Sequence, residues 1–260
     1  MNNQTLLALD IGNTNVVLGI YIDDELKIRR RLSSAAGRTA DEAGVLVTML
    51  CRDGGVDPKH IDNVAIASVA PKNGMVYGEM AKSWLGCDPV FIHGDFEGFV
   101  NKYRDPGSVG ADRVCDAVAG YQKYGGPLLI LDFGTAITID VIDKDGAYLG
   151  GVIMPGLETS VEALHSAAAL LPKVRLSMPE QVIGRTPDES IRIGLIKGTI
   201  AAIRGLITDI RKETGFADSK VIATGGMASY MVKHIPEVLA VEPDLVLEGI
   251  KILFNRSIDS

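Results

Sequence analysis

Three short groups of residues carry more polar chemistry than a turn requires. Asp10-Ile11-Gly12-Asn13-Thr14-Asn15 ends one apolar run and leads through Val16 and Val17 into another. Asp132-Phe133-Gly134-Thr135 stands in the same setting further along, and Asp112-Arg113 follows Gly110 and Ala111. A glycine lets the backbone approach a ligand closely. Backbone N–H groups and the Thr14 hydroxyl can donate to phosphate oxygens, and the Asn13 and Asn15 amides add further donors. Asp10 can serve Mg²⁺, directly or through water, because that ion prefers few carboxylates plus phosphates and waters. The second loop offers a similar set through Asp132 and Thr135, so the two together suit a phosphate-and-cation clamp on one nucleotide. A hairpin whose Asp and Thr satisfy turn hydrogen bonds would explain one such loop; its recurrence in a matching context argues against that reading. Asp112 could orient a hydroxyl and accept its proton, and Arg113 could anchor a carboxylate through paired hydrogen bonds. Taken alone, those two residues read equally well as a helix N-terminal carboxylate and a surface arginine.

The elements that must position these groups follow from periodicity. Strands are predicted over 6–10, 16–22 and 26–32, with a turn at Asp23-Asp24, as a hairpin series around the first loop. A helix over 39–53 is opened by Thr39 or Asp41. A strand over 64–68, a helix over 74–85, a strand over 90–92 and a helix over 112–124 follow. Residues 127–151 then repeat the N-terminal plan: apolar strand, Asp-x-Gly, a threonine, a second strand, an acidic turn and a third strand. The turn is Asp143-Lys144-Asp145-Gly146 in this copy. Helices over 158–169, 186–214 and from 245 onward come next, and a strand over 221–223 runs into Thr224-Gly225-Gly226. A repeat of such long period indicates two similar halves rather than a solenoid. The expected division is 1–115 and 116–260, with a ligand cleft between the halves.

Composition narrows the class. The chain has 260 residues, 47% of them apolar, with a net charge of −7 and a pI near 5.2, which disfavours nucleic-acid binding through the whole surface. The one dense basic run, residues 27–31, reads as a solvated strand edge. No stretch reaches the length of a membrane span, and the start MNNQT lacks a basic leader, so a cytoplasmic location is expected. Cys51, Cys87 and Cys115 are widely spaced and read as reduced core thiols. His60, His93, His165 and His234 show no ligand spacing. Gly-x-x-x-x-Gly-Lys-Ser/Thr, Gly-x-Gly-x-x-Gly and Gly-x-Ser-x-Gly are all absent, which excludes a P-loop.

Six segments then carry a resemblance across nearly the whole chain. They are DIGNTN (10–15), YRDPGSVGADR (103–113), LDFGTAITID (131–140), GGVIMPG (150–156), IGRTPDESIRIG (183–194) and TGG (224–226). The loops resemble the phosphate motifs of the superfamily of acetate and sugar kinases, heat-shock chaperones and actin. Within it the six together resemble the type III pantothenate kinase family. The resemblance implies an α/β fold of two ribonuclease-H-like halves, each a mixed sheet flanked by helices. It implies ATP-dependent phosphorylation of the primary hydroxyl of pantothenate to 4′-phosphopantothenate, the first committed step towards coenzyme A. Residues 10–17 would bind nucleotide phosphates with Asp10 near Mg²⁺, and Thr135 would belong to the second phosphate loop. Asp132 would hold a monovalent cation, K⁺ or NH₄⁺. Gly110, Ala111, Asp112 and Arg113 would form the pantothenate motif, with Asp112 as the base. Tyr103 would line the pocket, and Gly225 would lie near the adenosine. Thr186 would reach the site from the partner subunit, which implies a homodimer. Phe133, bulkier than expected after Asp132, should pack under its loop. A kinase-fold transcriptional regulator and a superfamily kinase with another substrate are the competing readings. The presence of Asp10, Asp112 and Arg113 disfavours the regulator.

Overall fold

The computed structural model describes residues 4–258. Its first elements are β1 (Thr5–Ile11), β2 (Asn15–Ile22) and β3 (Glu25–Ser33), an antiparallel meander in the predicted places. Asp23 and Asp24 turn the β2–β3 hairpin with φ of 51° and 66°, a left-handed pair that short Asx side chains tolerate. α1 (Ala40–Asp53) opens with a capping box: the Thr39 side chain accepts from Glu42 N–H, and the Glu42 carboxylate accepts from Thr39 N–H. β4 (Asn63–Ser68), α2 (Pro71–Met80), β5 (Val90–Ile92) and α3 (Ala111–Tyr124) follow. The helix expected over 74–85 begins at Pro71, whose missing N–H is harmless in the first turn, and ends in a wider π turn over Ala81–Leu85.

The second plan begins at β6 (Leu128–Phe133), β7 (Ala136–Ile142) and β8 (Tyr148–Pro155). Asp143 shapes its turn by accepting from Asp145 N–H and Ala147 N–H, each at 2.9 Å. Then come α4 (Leu157–Ala167), α5 (Pro187–Thr214), β9 (Lys220–Thr224), α6 (Ala228–Met231), β10 (Ala240–Val241) and α7 (Leu245–Ile258). The two sheets share one topology. Their orders are β3-β2-β1-β4-β5 and β8-β7-β6-β9-β10, with the first three strands antiparallel and the last two parallel to the central one. The repeat legible in the sequence is therefore a repeat of fold.

The described residues form two compact units. One runs to Lys123 and takes in the chain again from Asp244; the other spans Tyr124–Pro243. The division expected at 115/116 thus falls inside α3, and α7 packs with the first unit although it ends the second half of the chain. Alternation divides the first sheet by face. Leu7, Leu9, Ile11, Val16, Leu18, Ile20 and Ile28 join the core under α1 and α2. The opposite face takes α7, where Leu247 fills the space a Cβ on Gly19 would need. In the second sheet Leu129, Leu131 and Phe133 pack with Ile196, Ile203 and Ile207 of α5. The three cysteines are free and buried, and burial pushes the Cys51 thiol up to about 11, which keeps it inert as a nucleophile.

Candidate active site

In the first loop, Gly12 N–H donates to the carbonyl of Asn15 at 2.9 Å and closes a tight turn between β1 and β2. Asn13 and Thr14 are exposed at its tip, while Asp10, Gly12, Asn15 and Val17 are half-buried and Ile11 and Val16 are core residues. Two neighbours fix the turn from outside: Ser34 N–H donates to Thr14 O at 2.8 Å, and Val69 N–H donates to Ile11 O at 3.0 Å. Ile11 and Val16 are spent on the core, so their contribution to a ligand is limited to backbone. Asp10 pairs in register with Val17 and Ala67 and points to the face opposite the α1–α2 core.

Asp112 sits in the first turn of α3, as its sequence position predicts. Its Oδ1 accepts from Arg113 N–H at 2.8 Å. Gly110 lies so close that a Cβ there would stand 2.5 Å from Oδ1. Burial holds the Asp112 carboxyl above its ordinary value, an effect the Arg113 amide and charge partly offset. Arg113 is buried at 8% exposure, which rules out the surface arginine that the dipeptide alone allowed. One turn on, the fully buried Cys115 thiol is pushed far up by burial and by the carboxylates of Asp116, Asp10 and Asp112, in that order. Val69, whose N–H binds Ile11 O in the first loop, also stands with its Cγ1 3.3 Å from where a Cβ on Gly110 would lie, which ties this motif to that loop. Tyr103 is exposed in the loop before α3, its N–H donating to Asn101 Oδ1 at 2.9 Å. Asn101 staples that loop by donating from Nδ2 to Gly94 O at 2.8 Å, a role the sequence does not signal.

The second unit carries the matching loop. Gly134 N–H donates to Ala136 O at 3.0 Å, one residue tighter than in the first loop. Thr135 is exposed at the tip, and Phe133 is buried beneath it, as expected. The loop rests on the start of α4: Gly156 N–H and the Thr159 hydroxyl both donate to Thr135 O, at 3.0 and 2.7 Å. Gly156 belongs to a quoted motif and Thr159 does not; only the structure gives either a role. Thr224-Gly225-Gly226 folds against the same loop. Gly225 has φ +93°, and a Cβ on it would overlap Asp132 Oδ1 and stand 2.6 Å from Phe133 N. Asp132, Thr135 and Gly225 are thus brought together. Thr186 stands apart as the N-cap of α5, where its hydroxyl accepts from Glu189 N–H at 3.2 Å.

A cavity of about 580 Å³ opens between β3 and α1, lined by residues such as Arg38, Asp41, Glu42 and Val45. None of the candidate residues lines it, and its polar groups have structural duties. Asp41 accepts from Trp84 Nε1, Arg38 donates to Tyr77 Oη, and Glu42 closes the capping box. Among the described residues no group of three His, Cys, Asp or Glu could hold a metal by itself, and no helix is long and apolar enough to cross a membrane. A lone Asp10 still fits Mg²⁺, because that ion takes most of its ligands from phosphates and water. Asp132, with the Gly225 backbone against its carboxylate, fits a cation that takes oxygen ligands.

Comparison with known proteins shows the family. The family described as type III pantothenate kinase matches residues 6–209. A type III pantothenate kinase of Thermomicrobium roseum is 41% identical over 252 residues, covering 96% of this chain and 97% of its own. Among solved structures, a conserved Campylobacter jejuni protein assigned provisionally to the Baf family of transcriptional activators superposes with a TM-score of 0.63. It is 17% identical over 98% of this chain and 100% of its own. The ROK hexokinase of Thermus thermophilus superposes with a TM-score of 0.54 at 12% identity, covering 99% and 100%. At those identities the likeness is one of fold: the two-sheet architecture of sugar kinases and actin-like ATPases.

Proposed function

The chain belongs to the type III pantothenate kinase family and is a pantothenate kinase, and from that premise we propose how its residues divide the work. Asp112 is the base: it orients the primary hydroxyl of pantothenate and takes its proton as the oxygen attacks the γ-phosphorus of ATP. The bond from that phosphorus to the β–γ bridging oxygen breaks, ADP leaves, and 4′-phosphopantothenate forms. A base must be ionised yet ready to accept a proton, and a carboxyl raised by burial beside a neighbouring arginine meets both needs. Arg113 holds the pantothenate carboxylate, and Gly110, Ala111 and Tyr103 complete that pocket. Residues 10–17, Thr135 and Gly225 bind the nucleotide. Asp10 serves the Mg²⁺ that accompanies ATP, an ion that neutralises charge on the phosphates when bound. Asp132 holds K⁺ or NH₄⁺. The protein works as a cytoplasmic homodimer in which Thr186 meets the substrate of the partner subunit.

The observation that supports the assignment most is Val69, whose N–H donates to Ile11 O in the first loop at 3.0 Å and whose Cγ1 stands 3.3 Å from where a Cβ on Gly110 would lie. A residue shared by the loop proposed for the phosphates and the motif proposed for the acceptor hydroxyl favours this division of roles. The test is a coupled assay with ATP, Mg²⁺ and pantothenate, run in potassium, ammonium or sodium. Pantothenate-dependent turnover that rises with potassium or ammonium supports the substrate and the cation site together. Equal rates in all three ions would remove Asp132 from its role, and normal turnover by Asp112→Asn would remove Asp112 from the mechanism.

A further inference from the structure

The basic run on β3 leaves one cation unaccounted for. Lys27 pairs with Glu25, Arg29 with Asp244, and Arg30 with Asp53. Arg31 is exposed and finds no carboxylate among the described residues. Register and alternation fix its direction. Ile28 fills the space beside Gly54 of the α1 end, Arg30 reaches Asp53, and Leu32 packs on the α1–α2 core, so beyond the bulge at Lys27 the even-numbered residues face that core. Arg29 reaches Asp244 at the start of α7, so Arg29 and Arg31 take the opposite face.

That face is the one to which Asp10 points. Asp10 pairs with Val17, and Val17 with Arg31, so the three form one row across β1, β2 and β3. Arg31 lies two strand spacings from Asp10, roughly 10 Å between Cα atoms. The neighbouring row, Ala8–Gly19–Arg29, is covered by Leu247. From there α7 runs away from the loop: Lys251 lies over the Tyr21 ring at 5.1 Å, and Asn255 donates to Asp24 Oδ1 at 3.0 Å. The Asp10–Val17–Arg31 row therefore lies beyond the start of α7. Asp10 stands at one end of that row, and at the other stands the exposed Arg31, with no carboxylate partner among the described residues.

Neither residues 10–17 nor residues 132–142 contain a lysine or an arginine. A nucleotide polyphosphate held by such loops carries several negative charges that they do not balance. We propose that Arg31 is a further nucleotide-binding residue, its guanidinium hydrogen-bonding the polyphosphate that the first loop holds. The proposal rests on the reading of residues 10–17 as a phosphate loop. Guanidinium suits the task because its planar fork matches two phosphate oxygens at once and stays charged at every working pH.

The test compares wild type with Arg31→Gln, Arg31→Lys and Arg30→Gln. Turnover is measured against ATP and pantothenate in turn, and MgATP binding is measured by calorimetry without pantothenate. Arg31→Gln is expected to raise the KM for ATP, and to weaken MgATP binding, by roughly tenfold or more. The KM for pantothenate and the melting temperature should stay as in wild type. Arg31→Lys should recover part of the loss by restoring charge without the fork. Arg30→Gln, facing the other way, should behave as wild type. An unchanged KM and affinity for ATP in Arg31→Gln, or a loss confined to pantothenate, overturns the proposal. Failure of the underlying reading looks different: wild-type turnover would then persist after substitution of Asp10 and Thr14. Should wild type bind MgATP without turning over pantothenate, the calorimetric comparison still decides the role of Arg31.

Discussion

Replacing Gly225 with alanine tests how the second loop is held. At φ +93° an L-residue is strained, by about 1–2 kcal/mol on the left-handed scale. The added methyl also meets atoms that cannot easily move: it overlaps Asp132 Oδ1 and stands 2.6 Å from Phe133 N and 2.7 Å from Phe133 C. Overpacking of that kind costs about 1–3 kcal/mol. Together the two effects predict a loss of about 2–5 kcal/mol, which for a chain of this size lowers the melting temperature by roughly 5–15 °C. Gly226 supplies the control from the same motif, because a Cβ there meets nothing within 4 Å. Thermal melts of Gly225→Ala and Gly226→Ala, monitored by circular dichroism, make the comparison. Equal melting temperatures would refute the claim that Gly225 packs on the Asp132 loop. A second reading comes from activity: with Asp132 displaced, Gly225→Ala should need more potassium for half-maximal turnover. A destabilised variant with an unchanged potassium response would separate the loop's packing from a cation role.

Other substitutions probe other links in the argument. Asp112→Asn should cut turnover by about 10²–10⁴-fold while ATP binding by calorimetry stays largely intact. The same variant should melt higher than wild type at neutral pH. The Asp112 carboxyl is raised in the folded protein, so ionisation costs the wild type stability as pH rises from the ordinary carboxyl value, about 4, through the higher folded value. The advantage of the uncharged amide should vanish in acid, and an advantage that is constant across pH would refute it. Gly249→Ala should destabilise by about 1–3 kcal/mol in denaturant titration, because its methyl would overlap the Cys115 backbone where α7 crosses α3. Gly198→Ala, in open space on α5, should instead gain up to about 1 kcal/mol, and equal effects at the two sites would contradict this account of the crossing. Thr186→Ala should cost about 1 kcal/mol of cap, and Thr186→Ser should retain it. A raised KM for pantothenate in the alanine variant, beyond what stability explains, would support contact across a dimer.

The local plan of the protein is legible in its sequence. The Asp-x-Gly loops, the hairpins around them and the cap at Thr39 depend on interactions within a few residues, which turn chemistry and side-chain alternation encode directly. Because each half repeats that local code, even the shared strand order of the two sheets is implied. Phe133 shows the same legibility at one residue: an aromatic on the inward-facing side of a strand can only pack beneath its loop.

Other features need partners that no local pattern names. Alternation tells which face of β1 is apolar, but not that α7 returns from the end of the chain to cover the other face. Small residues decide that, as Gly19 admits Leu247 and Gly249 admits the backbone of Cys115. The unit boundary after Lys123, the seating of Gly225 on Asp132 and the position of Val69 between the first loop and Gly110 are of the same kind. So is Arg31, which the sequence shows only as one of three consecutive arginines. The sequence by itself determined which residues could do chemistry and the strand turns that present them, because those rest on near-neighbour hydrogen bonds and a period of two. Tertiary structure alone decided which of them share a face, because strand register and helix crossing are set by close packing between residues far apart in the chain.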